Sequence, residues 1–344
     1  MIFAAFGKKI TKSNILSSIN FINIADEIFT ATLSKKDIER LNITNYFAVH
    51  KENGLITFIN LNFKVTHGSI VYCNSDYLEG LFHFLKNTNV KNIILISSQS
   101  DREISKDLFN KKPRNIINWY STNVNFQSKN LIPIPLGIAP YRNSKSVIFD
   151  DFLVLDKNKN KTKLLYSNFN LNTNYFHRKN ATYSIHSQGF EVNQPFSSYD
   201  EYLAKVSRCE YLLAPWGNGI DTHRFWEALY CETIPVTKSH YIYKSFINIP
   251  KVLLNKYNEI SLIKNLDFKS SDVNYEITMD FWLKKIKRNY SEFDVNSKYY
   301  HLNDVDLNKT IKEFNSFDNS RKRKKKLYTV IRKLDKKLNI LRKI

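Results

Sequence analysis

The residues best suited to chemistry lie in one run, Pro215-Trp-Gly-Asn-Gly-Ile-Asp-Thr-His-Arg-Phe-Trp-Glu-Ala-Leu-Tyr-Cys-Glu-Thr-Ile-Pro235. Gly217 and Gly219, with Asn218 between them, take two of only eight glycines and stand directly before a helical pattern. A backbone without Cβ can approach a ligand closely and can reach positive φ. A helix start offers free N–H groups and partial positive charge to phosphate oxygens. Asp221, Thr222, Arg224 and Glu227 crowd polar groups onto the first two turns. Arg224 and Glu227 are three apart and share a face. An arginine can fork onto a diphosphate, and a glutamate can accept from two vicinal hydroxyls, as a ribose presents them. A ligand-free reading also exists: Asp221 as a helix cap, Arg224 and Glu227 as an ordinary helix pair, and the glycines as a turn. The glycine loop, the polar cluster and the helix running directly into Ile234-Pro-Val236 together favour the ligand.

Such a segment needs a scaffold. A strand is expected over 211–214, a loop over 215–220, a helix over 221–230 and a strand over 234–237. Upstream, strand patterns over 55–61, 69–72, 92–97, 116–119 and 131–136 surround a helix over 76–85, whose Leu78, Leu81, Phe82 and Leu85 share one side. The branched run over 92–97 suits a strand covered on both faces. Alternation of this kind predicts a parallel sheet flanked by helices. Residues 141–162 read as a polar connection, after which the pattern restarts with a strand over 163–166 and a Ser-capped helix over 198–206. A helix over 278–290 is placed to return to the first half. The expected organisation is therefore a domain over 1–150, a second over 151–300 and a tail over 301–344. Two open α/β sheets facing each other form a cleft, with ligands beyond the carboxyl ends of the strands.

The segment from Pro215 to Leu229, with Ile234-Pro-Val236, resembles the donor-site signature of exostosin-type glycosyltransferases. It is also similar to the wider GT-B pattern Glu-Ala-(Leu/Met)…Gly-x-Pro-Val. The resemblance covers roughly residues 200–240. It implies an α/β fold of two Rossmann-like domains facing a cleft, a ribose-binding role for Glu227, and diphosphate contacts near Gly217, Asn218, Gly219 and Arg224. Glu232 stands where the wider pattern usually has glycine. The stretch 164–178, which includes Arg178, is similar to the entry strand and Arg loop of the donor domain. The stretch 119–123 and Ile134-Pro-Leu-Gly-Ile138 are similar to the end of the first domain.

Glycosyl transfer requires stabilisation of a departing nucleoside diphosphate and, in an inverting enzyme, a base for the acceptor hydroxyl. Arg224, Arg178 and the helix start could meet the first need without a metal. The base is expected at a strand's carboxyl end in the first domain. Asp101 fits, because it follows the 92–97 run after a short Ser-Gln-Ser loop. Asp76, His67 and Glu79 are rivals, and Asp101 could instead cap a helix over 101–109. A metal-dependent GT-A enzyme would need Asp-x-Asp closing an apolar strand. The only such triplet, Asp304-Val-Asp306, lies in a polar stretch and reads as a helix start. His177, His186, His223 and His240 have no metal-ligand spacing, so no metal and no other cofactor is expected.

Composition bounds the remaining classes. The chain has 344 residues and a net charge of +20, with 42% hydrophobic residues, which excludes a disordered chain. No apolar run is long enough to span a membrane as a helix. At the start, the charges follow the apolar run, the wrong order for a secretory signal. Three cysteines give no disulfide framework and suggest a reducing, cytoplasmic setting. The charge is concentrated: residues 321–344 carry twelve Lys or Arg against one acid, +11, which leaves +9 for the rest. In that tail Leu327, Val330, Ile331, Leu334, Leu338 and Leu341 recur at helical spacing beside cations such as Lys324, Lys325 and Lys326. Such a helix suits the headgroup boundary of an anionic membrane. A partner helix or a nucleic-acid arm are the other uses. The leading expectation is a glycosyltransferase taking a nucleoside-diphosphate sugar to a glycan acceptor, lipid-linked, at the cytoplasmic face of a membrane. Its setting would be surface polysaccharide or lipopolysaccharide synthesis. The alternatives are a nucleic-acid-binding protein, which lacks a basic aromatic platform in its body, and a non-catalytic relative.

Overall fold

A computed structural model of the chain describes residues 1–143, 146–155, 160–192, 198–266, 275–287 and 298–341. The chain opens on a hairpin of β1 (Ile2–Ala5) and β2 (Lys8–Thr11), then α1 (Ser18–Ile22), β3 (Glu27–Ser34), α2 (Lys35–Arg40), β4 (Tyr46–Glu52) and β5 (Leu55–Asn60). Next come β6 (Lys64–Val65), β7 (Ile70–Asn74), α3 (Leu78–Lys86), β8 (Ile93–Ser98), α4 (Lys106–Asn110), β9 (Ile116–Ser121) and β10 (Leu131–Pro133). The second half holds β11 (Lys163–Tyr166), α5 (Tyr175–His186), α6 (Tyr199–Ser207), β12 (Cys209–Leu213), α7 (His223–Tyr230), β13 (Ile234–Lys238), α8 (Tyr241–Ser245) and β14 (Val252–Leu254). It closes with α9 (Met279–Lys287), β15 (Tyr300–His301) and α10 (Asp304–Leu341).

The first sheet has seven strands in the order β10-β9-β8-β7-β3-β5-β4. From β10 to β3 the neighbours run parallel; β5 and β4 are antiparallel additions at one edge. The expected wholly parallel sheet is thus mixed, because β4 and β5 form a hairpin that a two-residue turn at Asn53 and Gly54 can close. Strand β8 is buried along its whole length, as its branched run requires. Strand β3 gives no clear period in the sequence, since Glu27 and three hydroxyl residues interrupt it, yet it lies between β7 and β5. The second sheet, β11-β12-β13-β14, is parallel throughout. Helix α6 starts where Ser198 accepts from Glu201 N at 3.2 Å.

The two sheets are not independent bodies. One buried cluster runs from Phe21, Ile94 and Ile96 of the first half through Trp226 and Tyr230 of α7 to Trp282 of α9. Helix α9 does reach the first half: Met279 N donates to Asn14 O at 2.7 Å and Tyr120 hydroxyl to Lys285 O at 3.3 Å. Residues 288–290, the expected end of that helix, lie outside the described residues. The opening hairpin also takes part in this shared core. Phe3 packs on Phe149, Phe152 and Tyr230, so the hairpin sits against α7.

Helix α10 starts earlier than the basic run. Asp304 and Asp306 form its first turn, which places the Asp-x-Asp triplet at a helix start and not at the end of an apolar strand. Its early turns pack Leu307, Ile311 and Phe314 against the core under α3, and Thr310 lies so close to Gly80 that a Cβ there would meet it at 2.6 Å. Its later turns reach α5 of the second half, where Asp335 accepts from Tyr175 hydroxyl at 3.0 Å and from Lys179 at 2.5 Å. Leu327, Val330, Ile331, Leu334 and Leu338 stay between 44% and 62% exposed. The side chain of Leu341, and all of Arg342, Lys343 and Ile344, lie outside the described residues. Among the described residues no helix is long and apolar enough to cross a membrane.

Candidate functional site

The carboxyl ends of five parallel strands converge on a cavity of about 350 Å³ between the two sheets. The first half supplies Asp101 and Glu103 after β8 and Asn125 after β9. The second half supplies Asn174 ahead of α5, the 216–220 loop between β12 and α7, and His240 after β13. Of the residues singled out by sequence, Asp101, Gly217, Asn218 and Gly219 therefore meet in one place. Helix α4 is capped by Ser105, whose hydroxyl accepts from Leu108 N at 3.3 Å, so Asp101 has no capping duty there. Its rivals are occupied or remote. Asp76 accepts from Ser100 and Arg321, and Glu79 is paired with Arg102. His67 precedes β7 and accepts from Lys91 N, at the opposite end of the strands.

Arg178, on the first turn of α5, is 4% exposed and stands behind the glycine loop. It donates to the carbonyls of Trp216 at 3.0 Å, Asn170 at 2.8 Å and Pro215 at 3.4 Å. Among the described residues its partners are all neutral, an expensive state for a buried cation. Burial, with the nearby Arg224 charge, lowers its pKa to about 10. Beside it, His177 stacks on Trp216 at 4.9 Å and meets Tyr257 hydroxyl at 2.8 Å. Burial, then the Lys238 and Arg178 charges, lower the imidazole to about 4. Lys238 lies 5.8 Å from the Trp216 ring centre. Trp216 Nε1, Thr222 Oγ1 and Arg224 Nε are buried with no hydrogen-bond partner among the described residues. Arg178, Arg224 and Lys238 thus gather behind the glycine loop, while the cavity wall itself carries Asp101 and Glu103 among neutral groups.

Several expected contacts do not line the cavity. Helix α7 begins at His223, two residues late, with Thr222 as its N-cap. Asp221 is buried, and its oxygens accept from Leu136 N, Thr222 N and Trp226 Nε1, each at 2.8–3.0 Å. Its carboxylate fastens the loop to both halves. Burial raises its pKa to about 6, against those same hydrogen bonds. Glu227 is 6% exposed and accepts from Tyr202 hydroxyl at 2.8 Å. Burial raises its pKa, with the charges of Arg224 and His223 opposing. Neither Arg224 nor Glu227 touches the cavity directly.

The positive φ expected of the glycines is not used. Neither Gly217 nor Gly219 has positive φ. A Cβ on Gly219 would meet the Asn123 carboxamide at 2.7 Å, so its bareness lets the two halves approach. Asn123, itself at φ 52°, accepts from Asp221 N at 3.1 Å and donates to Ser100 O at 3.2 Å. Asn174 donates to Gly217 O at 2.8 Å. Asn123, Asn125 and Asn174 were hidden in a sequence where asparagine is everywhere. Only the position of Asn123 just past a strand could have marked it. Among the described residues, no group of three or more His, Cys, Asp or Glu could hold a metal ion.

No protein-family model matches the chain, and no curated protein matches it. Among solved structures, the chain is similar to AviGT4, a glycosyltransferase involved in avilamycin A biosynthesis. That likeness has 11% sequence identity and a TM-score of 0.25, over 68% of this chain and 76% of the other.

Proposed function

We propose that this chain is a glycosyltransferase of GT-B architecture that takes a sugar from a nucleoside-diphosphate donor. The observation that carries the reading is the buried Arg178, bonded to carbonyls directly behind the glycine loop that lines a cavity together with Asp101. Arg178, Arg224 and Lys238 would stabilise the leaving diphosphate by charge alone, without a metal. Glu227 would hold the donor ribose once Arg224 and Tyr202 adjust around the nucleotide. Asp101 would take the proton of the acceptor hydroxyl in an inverting transfer. The donor half would be the unit built on β11 to β14, and the acceptor half the seven-stranded sheet.

The exposed apolar stripe of α10, flanked by Lys324, Lys325 and Lys326, would rest on an anionic membrane and bring a lipid-linked glycan acceptor to the cleft. A cytoplasmic membrane face and surface-glycan assembly follow from that reading. Full-length protein should sediment with vesicles rich in anionic lipid, and Leu327→Ser with Leu334→Ser should abolish it; unchanged sedimentation removes the membrane role.

Calorimetric titration with UDP, GDP and CMP tests the donor site, followed by a hydrolysis screen of their sugar conjugates. Absence of saturable binding to all three would falsify the reading. For a responsive donor, Asp101→Asn should lower kcat by about 100-fold or more while nucleotide affinity stays within about two-fold.

A further inference from the structure

The loop that presents Asp101 is held by β3, by the start of α3 and by α10. Gln99 starts it in the left-handed region at φ 62°, with its amide bonded to Thr32 N and Thr32 O, both at 2.8 Å. The two neighbours of Asp101 are then fixed by separate anchors. Ser100 hydroxyl donates to Asp76 Oδ1 at 2.5 Å and accepts from Arg102 N at 3.0 Å. Arg102 donates to Ser75 O at 3.1 Å and pairs in a fork with Glu79. Both anchors lead to α10. Arg321 donates to Asp76 Oδ2 at 2.8 Å, and the Phe317 ring lies against the Arg102 guanidinium at 4.2 Å. Arg321 itself reaches the Phe317 ring at 5.7 Å and is steadied by Asp318 at 2.7 Å. One turn of a helix far away in sequence thus touches both side-chain systems that bracket Asp101.

We infer that Phe317 and Arg321 of α10 are positioning residues for the Asp101 loop. Among the described residues, Asp101 and Glu103 have no anchor of comparable strength on their own side chains, so the loop's aim depends on Gln99, Ser100 and Arg102. Without Phe317 the Arg102 fork keeps Glu79 but loses the ring that limits its swing. Without Arg321 the Asp76 carboxylate keeps Ser100 but can turn with it. Misplacement of a reacting group by about 1 Å can cost on the order of 100-fold in rate. The catalytic consequence rests on the proposed role of Asp101; the anchoring itself does not.

The full chain carrying Phe317→Leu or Arg321→Gln provides the test, beside the conservative Phe317→Tyr and Arg321→Lys. Amide hydrogen exchange over residues 99–105 should quicken by about ten-fold or more in the first pair and remain near native in the second. Protection in β8 and α3 should be unchanged in all four. With UDP-glucose and GDP-mannose as probes, kcat of the first pair should fall about ten-fold at unaltered KM. Native exchange in the loop of both disruptive variants overturns the positioning role. So does equal quickening of loop, β8 and α3, which marks general loosening. Exchange needs no substrate, so it decides the anchoring by itself. Asp101→Asn run alongside separates the claims: undiminished turnover in that variant removes the base assignment, while its loss beside undiminished Phe317 and Arg321 variants overturns this proposal alone.

Discussion

At the scale of residues, the site is governed by close approach and by buried charge. Gly219 faces the Asn123 carboxamide with no room for a methyl group. Gly219→Ala should therefore destabilise the protein by about 1–3 kcal/mol, the usual cost of overpacking. Asn123→Gly, at a left-handed position that glycine accepts, should relieve part of that cost, so the double variant should be less destabilised than the sum of the single changes. Additive midpoints in urea titrations would show that the two do not touch. His177 yields a pH prediction. Its folded pKa of about 4 lies below the unfolded 6.5, so the unfolded chain binds the extra proton between those values. Stability from this group is complete above about pH 6.5 and drains away as pH falls toward about 4. Allowing for partial exposure, His177→Gln should lose about 1 kcal/mol less than the native chain between pH 7 and pH 5. Equal losses would place the imidazole in solvent.

Among elements, the turn from α7 to β13 shows how a departure from a sequence pattern is absorbed. Glu232 adopts φ 54°, the conformation that a glycine would take there. Its carboxylate accepts from Phe6 N at 2.7 Å, and Phe6 is itself at φ 47° in the β1–β2 turn. The side chain thus joins two strained turns and offsets its own strain. Glu232→Ala keeps the strain and loses the bond, so about 1 kcal/mol should be lost. Glu232→Gly loses the bond but relaxes the backbone, so it should stay within about 0.5 kcal/mol of native. Thermal unfolding of the two variants compares them directly, and a glycine variant weaker than the alanine one would refute the account.

For the molecule as a whole, the shared core matters most. Tyr230 hydroxyl accepts from Leu16 N at 2.9 Å and donates to Ile277 O at 2.9 Å. One oxygen thereby joins the segment before the first sheet, helix α7 and the lead into α9. Tyr230→Phe should leave both backbone groups unpaired in the core and lower stability by about 2 kcal/mol. Because the core is continuous, hydrogen-exchange protection should drop alike in β8 and β12. A drop confined to one strand would mean that the halves unfold separately. Helix α10 adds a second tie, since it packs on α3 at one end and meets α5 at the other.

Much was legible from local order. The strand, glycine loop, helix and strand of residues 209–238 arise from periodicity and composition, because the forces that form them act over a few residues. So do the buried run of β8, the Ser198 cap and the helix start at Asp304. Asp101 could be placed in the cleft because parallel strands send the loops beyond their carboxyl ends to one side. The bonds of Asp221 to Leu136 and of Glu232 to Phe6 could not be read, since those partners lie 85 and 226 residues away in the chain. Nor could the duty of Gly219, the weight of three asparagines among many, or the hold of α10 on the Asp101 loop. Those depend on which surfaces are pressed together when the two halves share one core, and packing between distant segments leaves no period in the chain that makes it.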